Sequence, residues 1–359
     1  MTMIICNSWN TLLHYYKLYI LLCTLNVTSQ LYDLITKSQG TTTFTRSFDY
    51  RFNSFCYILF FDSGKFDMKA RILGWEKSTR EEYGYTYSLF GGSVCTHPDV
   101  VDFLSKRLAP PDFYVYKRKG DVIAAAFSLN NELSLKKNNY PIFFDDIIIP
   151  FKKGSGKILM PFKTKQLSHH HKGDFSNCIH WQKLKRKTCV VKDDFSKKTH
   201  KKRRAEYEYF INNGGACLSI DKFSDKELSE IYISLFKKRW GKKLECYSEE
   251  ILLDVFSELR HLVFGHVLLI NGVPCAYDLV FKAECKEWIF FDCHNGGVDQ
   301  AFANYSVGSL LMYKNIELAK KIGKEKNIKT IYSLGMEDPR WEYKKQWCNV
   351  LTLGRSLML

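Results

Sequence analysis

The run VFGHVLLI (residues 263–270), Asn271-Gly272, VPCAYDLVFKAE (273–284), KEWIFFDCHNGG (286–297), Ser306-Val307-Gly308 and TIYSLGM (330–336) decides the fold of this chain. Asn271-Gly272 sits between two apolar, β-branched stretches, and such a pair accepts the positive φ angles of a two-residue hairpin turn. A further strand pattern carries Asp292 and His294, then a glycine-bearing turn leads into a long helix from Leu310. A sheet that enters a helix through a small-residue turn gathers unpaired backbone N–H groups at one point. Such a point suits the phosphates of a carrier such as coenzyme A. The strand 330–336 and a short amphipathic tail with Tyr343 and Trp347 close the unit.

Upstream, Phe223-Ser224-Asp225-Lys226-Glu227 reads as a capping box, with Ser224 as N-cap and Glu227 reaching back. The helix it opens puts Leu228, Ile231, Tyr232 and Leu235 on one face and ends near Gly241. A second helix spans residues 249–259. Two helices, a hairpin, a further strand, a glycine turn, a helix, a strand and a last helix make an α+β layer.

The first half has a similar order. Pro98 fits the first position of a helix capped near Thr96 or His97, which runs through VVDFLSKR and stops by Pro110-Pro111. DFYVYKRKGDVIAAAFSL (112–129) reads as two strands about Lys119-Gly120-Asp121, and Ile142 to Pro150 and Lys157 to Pro161 add short apolar runs. Between the halves the sequence is basic, with Lys185-Arg186-Lys187, Lys197-Lys198 and Lys201-Lys202-Arg203-Arg204 before a helical AEYEYFINN that stops at Gly214-Gly215. A charge run of this kind reads as a solvated helix face or linker, or as a contact for phosphate, acidic lipid or RNA.

The 359 residues suffice for two domains, and the net charge of +15 favours acidic partners. The 12 cysteines include no C-x-x-C pair and several fall in apolar strands, which predicts reduced, mostly buried thiols. His169-His170-His171 reads as a solvated loop, because adjacent histidines cannot all face one ion; no metal site is expected. Leu12 to Val27 is the most apolar run, yet it carries His14, Lys17 and Asn26 and falls short of the ~20 residues that span a bilayer. The text changes character at Met68, with MKARILGWEKSTREEYGY, so Met68 reads as the initiator and 1–67 as an upstream extension; a marginal membrane anchor is the rival reading. The expected organisation is therefore an extension (1–67), a degenerate N-terminal lobe (68–182), a basic linker and helix (183–215) and a better-kept C-terminal domain (216–359).

The element order resembles the acyl-coenzyme A-dependent N-acyltransferase (GNAT) fold. The stretch from Gly265 through Asn271-Gly272 is similar to that fold's second strand and turn, Ala276 to Phe281 and Trp288 to His294 to its third and fourth strands. Ser306, Val307, Gly308, Ser309 and Leu310 stand where its pyrophosphate loop binds acyl-CoA. The usual Q/R-x-x-G-x-G/A pattern keeps only Gly308, and the local text is nearer the S-x-G-x-L-L form of the cellulose-synthesis-associated and Fem-like branches. The resemblance implies a mixed, mostly antiparallel sheet flanked by helices, and a tandem with a worn first copy. After Met68 the chain also resembles the macrophage-inducible Mig virulence family of enteric bacteria, through Phe90-Gly91-Gly92-Ser93 with Thr96-His97-Pro98-Asp99-Val100-Val101, KKRRAEYEYFINNGG (201–215), and Gly335-Met336-Glu337 with Tyr343-Lys344. That likeness implies a role in resistance to cationic antimicrobial peptides at the cytoplasmic face of the inner membrane. The implied partners are an anionic membrane surface or a peptide-related envelope component.

If transfer is retained, an amine attacks a thioester carbonyl and a carboxylate, His or water chain removes its proton. Asp292 and His294 share one face by period two and are the strand-four candidates; Tyr343 is the candidate to protonate the leaving thiolate. Asp278 joins them only if the pairing sum of its strand with the next is even. Three readings follow: N-acyl transfer to an amine, a non-catalytic binding module at the membrane, and a nucleic-acid-binding regulator. The last is disfavoured, since the helix ending at Gly214-Gly215 leads into ACLSI, a strand and not a recognition helix.

Overall fold

The computed structural model describes residues 63–137 and 139–357, so the readings made on the first 62 residues lie outside the described residues. Helix α1 (Ser63–Ile72) runs through Met68. From Ala70 onward the chain forms one compact unit.

The first lobe begins with β1 (Trp75–Ser78), α2 (Arg80–Phe90) and α3 (Pro98–Ser105). His97 caps α3 as its sequence implies, its Nδ1 accepting from the Asp99 amide at 3.2 Å, with Pro98 in the first turn. Strands β2 (Asp112–Arg118) and β3 (Asp121–Ser128) then form the expected hairpin, and β1 joins them in a sheet of order β1-β2-β3. The apolar runs at 142–150 and 157–161 make only isolated bridges, such as Ile147 with Leu167 and Ile158 with Phe175. They are buried chain without a ladder.

His169-His170-His171 corrects the solvated-loop expectation. His171 is 1% exposed, its Nδ1 is 2.8 Å from Asp174 Oδ2, and its Nε2 accepts from the Ile149 amide at 3.1 Å. His170 packs on Trp288, ring centroids 4.7 Å apart. The three rings point different ways into the protein. Among the described residues no group of three or more His, Cys, Asp or Glu side chains is placed to hold a metal ion.

Two short strands follow, β4 (Cys178–Ile179) and β5 (Lys187–Val191), then α4 (Lys197–Asn212). The segment read as a linker is thus partly sheet: β5 lies between two strands of the C-terminal half. The basic cluster 197–204 is the first half of α4, opened by Ser196, whose Oγ accepts from the Thr199 amide at 3.2 Å.

The second lobe runs β6 (Gly215–Ser219), α5 (Asp225–Trp240), α6 (Glu249–Leu259), β7 (Val263–Phe264), β8 (His266–Ile270), β9 (Val273–Glu284) and β10 (Trp288–Val298). It continues with α7 (Val307–Lys326), β11 (Lys329–Met336), α8 (Lys344–Trp347), β12 (Cys348–Thr352) and β13 (Arg355–Ser356). The capping box is present in both directions: Ser224 N donates to Glu227 Oε2 at 2.7 Å, and Glu227 N to Ser224 Oγ at 3.2 Å. Asn271 (φ 50°) and Gly272 (φ 80°) make the hairpin turn, with Ile270 opposite Val273.

The large sheet has the order β12-β5-β11-β10-β9-β8-β6, with β7 pairing β9; β10 and β11 are parallel and the other neighbours antiparallel. Ile289, Phe291 and Cys293 face Met312, Tyr313 and Ile316 of α7. On the opposite face α5 lies so close that a Cβ on Gly297 would meet the Leu235 carbonyl carbon at 2.2 Å. This mixed, mostly antiparallel sheet between helices is the GNAT-like α+β fold, with a reduced first lobe. The cysteines among the described residues are free and lie buried or half-buried. Among the described residues no helix is long and apolar enough to cross a membrane.

Candidate active site

The site begins where two strands part. β10 and β11 pair from Trp288 opposite Lys329 to Asp292 opposite Ser333. Beyond that point β10 stays with β9, while β11 bends at Gly335 (φ 72°) and pairs Met336 with Thr188 of β5. β10 also carries a bulge there: Cys293 lies opposite Val280 and Asn295 opposite Leu279, leaving His294 as the extra residue. A bulge sharpens the local twist and re-aims side chains at a strand's parting.

The bulge decides which candidates meet. Nε2 of His294 lies 3.4 Å from Oδ2 of Asp292, so these two do come together. The His294 side chain is fully buried, its ring 4.6 Å from Phe143 and 5.2 Å from Phe281 between centroids. Neither ring nitrogen has a hydrogen-bond partner. Burial brings its pKa down to about 3, which keeps the imidazole neutral. Burial, reinforced by Asp145 and Asp146, pushes the Asp292 carboxyl well above the usual range. A neutral imidazole out of solvent thus lies against a partly exposed carboxyl of raised pKa.

Asp278 does not join them. Before the bulge Asp292 is opposite Phe281; after it Gly296 is opposite Asp278, so Asp278 shares a face with Cys293 and Gly296, toward α7. Its carboxyl, raised to about 6 by burial, would touch a Cβ placed on Gly296. Tyr343 belongs to this second group. It is 38% exposed, and its hydroxyl is pushed up to about 12 by burial and then by Cys293, with Arg239 opposing. The three sequence candidates are therefore divided: Asp292 and His294 on the α5 side, and Tyr343 with Cys293 and Asp278.

The carrier end of the site departs from expectation in detail. Gly308 is not the turn; it is the second residue of α7, and the left-handed residue is Ser306 (φ 53°, ψ 34°). The Ser306 carbonyl accepts from the amides of Ser309 and Leu310 at 2.9 and 3.0 Å, while its side chain caps none of the first turn. No acidic residue lies in that turn. Val307 and Leu310 are buried against Phe210 and Leu268, so they anchor the helix and do not face a ligand. A Cβ on Gly308 would meet Val298 Cγ1 at 3.1 Å, which brings the helix start close to the end of β10. An uncapped, acid-free helix start fits a phosphate group.

Sequence reading missed several residues. Asp145 and Asp146, adjacent in FFDDIIIP, are carried into the interior, and burial raises Asp146 to about 6. Two consecutive acids inside an apolar run were the available signal. Arg239 and Trp240, at the end of α5, both donate to the Gly296 carbonyl, at 3.3 and 3.1 Å. Trp240 also meets Trp341, after β11, edge to face at 5.0 Å. These indoles link the two parted strands.

The Mig-14 family model matches residues 97–355. The chain belongs to the Mig-14 family. No curated protein sequence matches it. Among solved structures, this Mig-14 protein is similar to FemX at 8% identity over 79% of this chain and 97% of that one, with a TM-score of 0.48. The L-PGS of Bacillus licheniformis gives 14% identity over 78% and 91%, at 0.40. A tandem GNAT protein from the clavulanic acid biosynthesis pathway gives 10% identity over 79% and 96%, at 0.38. The fold assignment rests on strand order and the parted pair, not on these likenesses.

Proposed function

We infer that this Mig-14 protein transfers an acyl group from a thioester carrier to an amine. The observation that carries the reading is the parting of β10 from β11 at the Asp292–Ser333 pair, with the uncapped start of α7 lying by Val298 at the far end of β10. Acyl-CoA would supply an activated carbonyl there, its phosphates at the amides after Ser306. On the protein's side, Asp292, whose carboxyl burial makes a stronger proton acceptor than a free one, is the group to take the amine's proton, and His294 steers that carboxyl by contact. Tyr343, across the strand, is the remaining proton source for a leaving sulfur.

The reading extends to resistance against cationic antimicrobial peptides, with docking at an anionic membrane surface on the cytoplasmic side. Its support is the family membership and the exposed lysines 197, 198, 201 and 202 of α4. Vesicle sedimentation at rising salt tests the docking: binding that salt leaves unchanged contradicts it.

A second reading, a module that binds without turnover, is favoured by one contact. Arg239 and Trp240 occupy the Gly296 carbonyl, a backbone acceptor past the parting. Thermal shift with acetyl-, long-chain acyl- and aminoacyl-donors separates the readings. A shift with a donor followed by release of its carrier supports transfer. No shift with any donor supports the module.

A further inference from the structure

The bulge of β10 moves one more polar side chain onto the face of Asp292. Strict alternation would turn Asn295, an odd number of residues further on, to the opposite face. Because His294 is the extra residue, Asn295 instead lies opposite Leu279, two positions along β9 from Phe281, the partner of Asp292. Asp292 and Asn295 therefore stand about 7 Å apart along one face, the rise of two strand residues. β11 has left by this point, since its last pair with β10 is Ser333 opposite Asp292.

The Asn295 amide is held from α5. Tyr232 donates its hydroxyl to Asn295 Oδ1 at 2.6 Å. Burial raises that hydroxyl well above its ordinary range, so Tyr232 keeps its proton and remains the donor. The Tyr232 ring is fully buried and packs on Phe236 at 5.6 Å and Tyr247 at 6.0 Å between centroids. The backbone next to Asn295 is fixed as well, because Arg239 and Trp240 both donate to the Gly296 carbonyl. With Oδ1 engaged, the half-buried amide is left with Nδ2, a donor that has no partner among the described residues.

We propose that Asn295 is a catalytic residue of the transfer, its Nδ2 donating to the thioester carbonyl oxygen on which charge develops, with Tyr232 as the positioning residue that fixes the amide. The proposal rests on the transfer reading above and gives that site its electrophilic side. The amine nitrogen bonds to the carbonyl carbon, and the carbonyl π pair moves onto the oxygen that Asn295 faces. Asp292 takes the amine's proton. As the carbonyl re-forms, the carbon–sulfur bond breaks and the sulfur leaves with its electron pair, to be protonated by Tyr343; solvent then returns the proton from Asp292 to Tyr343. An amide already oriented by a buried hydroxyl does not have to turn as charge grows, and a donor of this kind is worth about 100-fold in rate.

Infrared difference spectroscopy on the full chain tests the assignment, with acetyl-coenzyme A and palmitoyl-coenzyme A isotope-labelled at the thioester carbonyl. Calorimetry establishes separately that a donor binds. The carbonyl band of the bound donor is expected at lower frequency in the parent than in Asn295→Leu. Tyr232→Phe broadens the band, because the amide is then free to turn. The double variant Asn295→Leu/Tyr232→Phe, which leaves no hydroxyl unpartnered, repeats the shift if the single one fails to fold. Thiol release from the donor to hydroxylamine, above the uncatalysed rate, falls about 100-fold in Asn295→Leu with donor affinity unchanged. The same band position in parent and variants, or a rate loss matched by weaker donor binding, overturns the role of Asn295 and leaves the transfer reading standing. A parent that binds neither donor removes the transfer reading, and the role of Asn295 with it.

Discussion

His294 Nε2 sits 3.4 Å from Asp292 Oδ2 at the bulge of β10, yet neither nitrogen of that ring is hydrogen-bonded. A polar ring kept unpartnered between Phe143 and Phe281 is a stability cost, and its retention calls for another role. His294→Phe removes both orphaned nitrogens and preserves aromatic packing. It should raise stability by about 1–2 kcal/mol in urea titration, while reducing transfer if His294 steers Asp292. A destabilised variant would show that the ring has a partner in solution.

The pH dependence separates the buried groups. Asp278 has a folded pKa near 6, above its unfolded value, so its protonated form is preferred in the folded state. Its contribution is fully present below the unfolded pKa and is lost as pH rises to about 6. Asp278→Asn should therefore gain stability relative to the parent between pH 4 and pH 7, on the order of 3 kcal/mol. The His294 sign is opposite: its folded pKa is near 3, and stability is lost as pH falls from the unfolded value toward it. Parallel melting curves of parent and Asp278→Asn at each pH would contradict the burial of this acid.

At Gly297 the backbone of α5 comes directly against the sheet. A Cβ there would lie 2.2 Å from Leu235 C and 2.3 Å from Phe236 N, both backbone atoms of a packed helix. Gly297→Ala should cost about 3 kcal/mol, at the upper end of overpacking effects. A change below about 0.5 kcal/mol, the size of an ordinary surface substitution, would mean that α5 is not seated as described.

Ser224 tests a smaller element. Its capping box holds the first turn of α5, and Ser224→Ala should lower stability by about 1 kcal/mol with the site unaltered. An unchanged midpoint in chemical denaturation would remove the cap from the account.

Local chemistry explains what could be read from the chain alone. The Asn271-Gly272 turn, the Ser224 capping box and the His97-Pro98 helix start are set by neighbours in sequence, and all three are present. The second helix also follows its apolar spacing, from Glu249 to Leu259. The insertion of β5 between β11 and β12 is a long-range pairing that its basic flanks concealed. Period two brought Asp292 and His294 together, but the register that sets Asp292 opposite Phe281, and so turns Asp278 to the other face, leaves no mark in the pattern. Phe143 belongs to a loop that meets the second lobe at His294, a long-range contact that local sequence does not encode.

The parted strands and the start of α7 are tested most directly by titrating acyl-donor binding to the parent and to Gly308→Asp by calorimetry. The substitution brings a side chain against Val298 and a negative charge into the first turn, where a helix tolerates it well. The account predicts saturable donor binding by the parent and its loss in a variant that melts like the parent. Equal donor binding by the two proteins would contradict it.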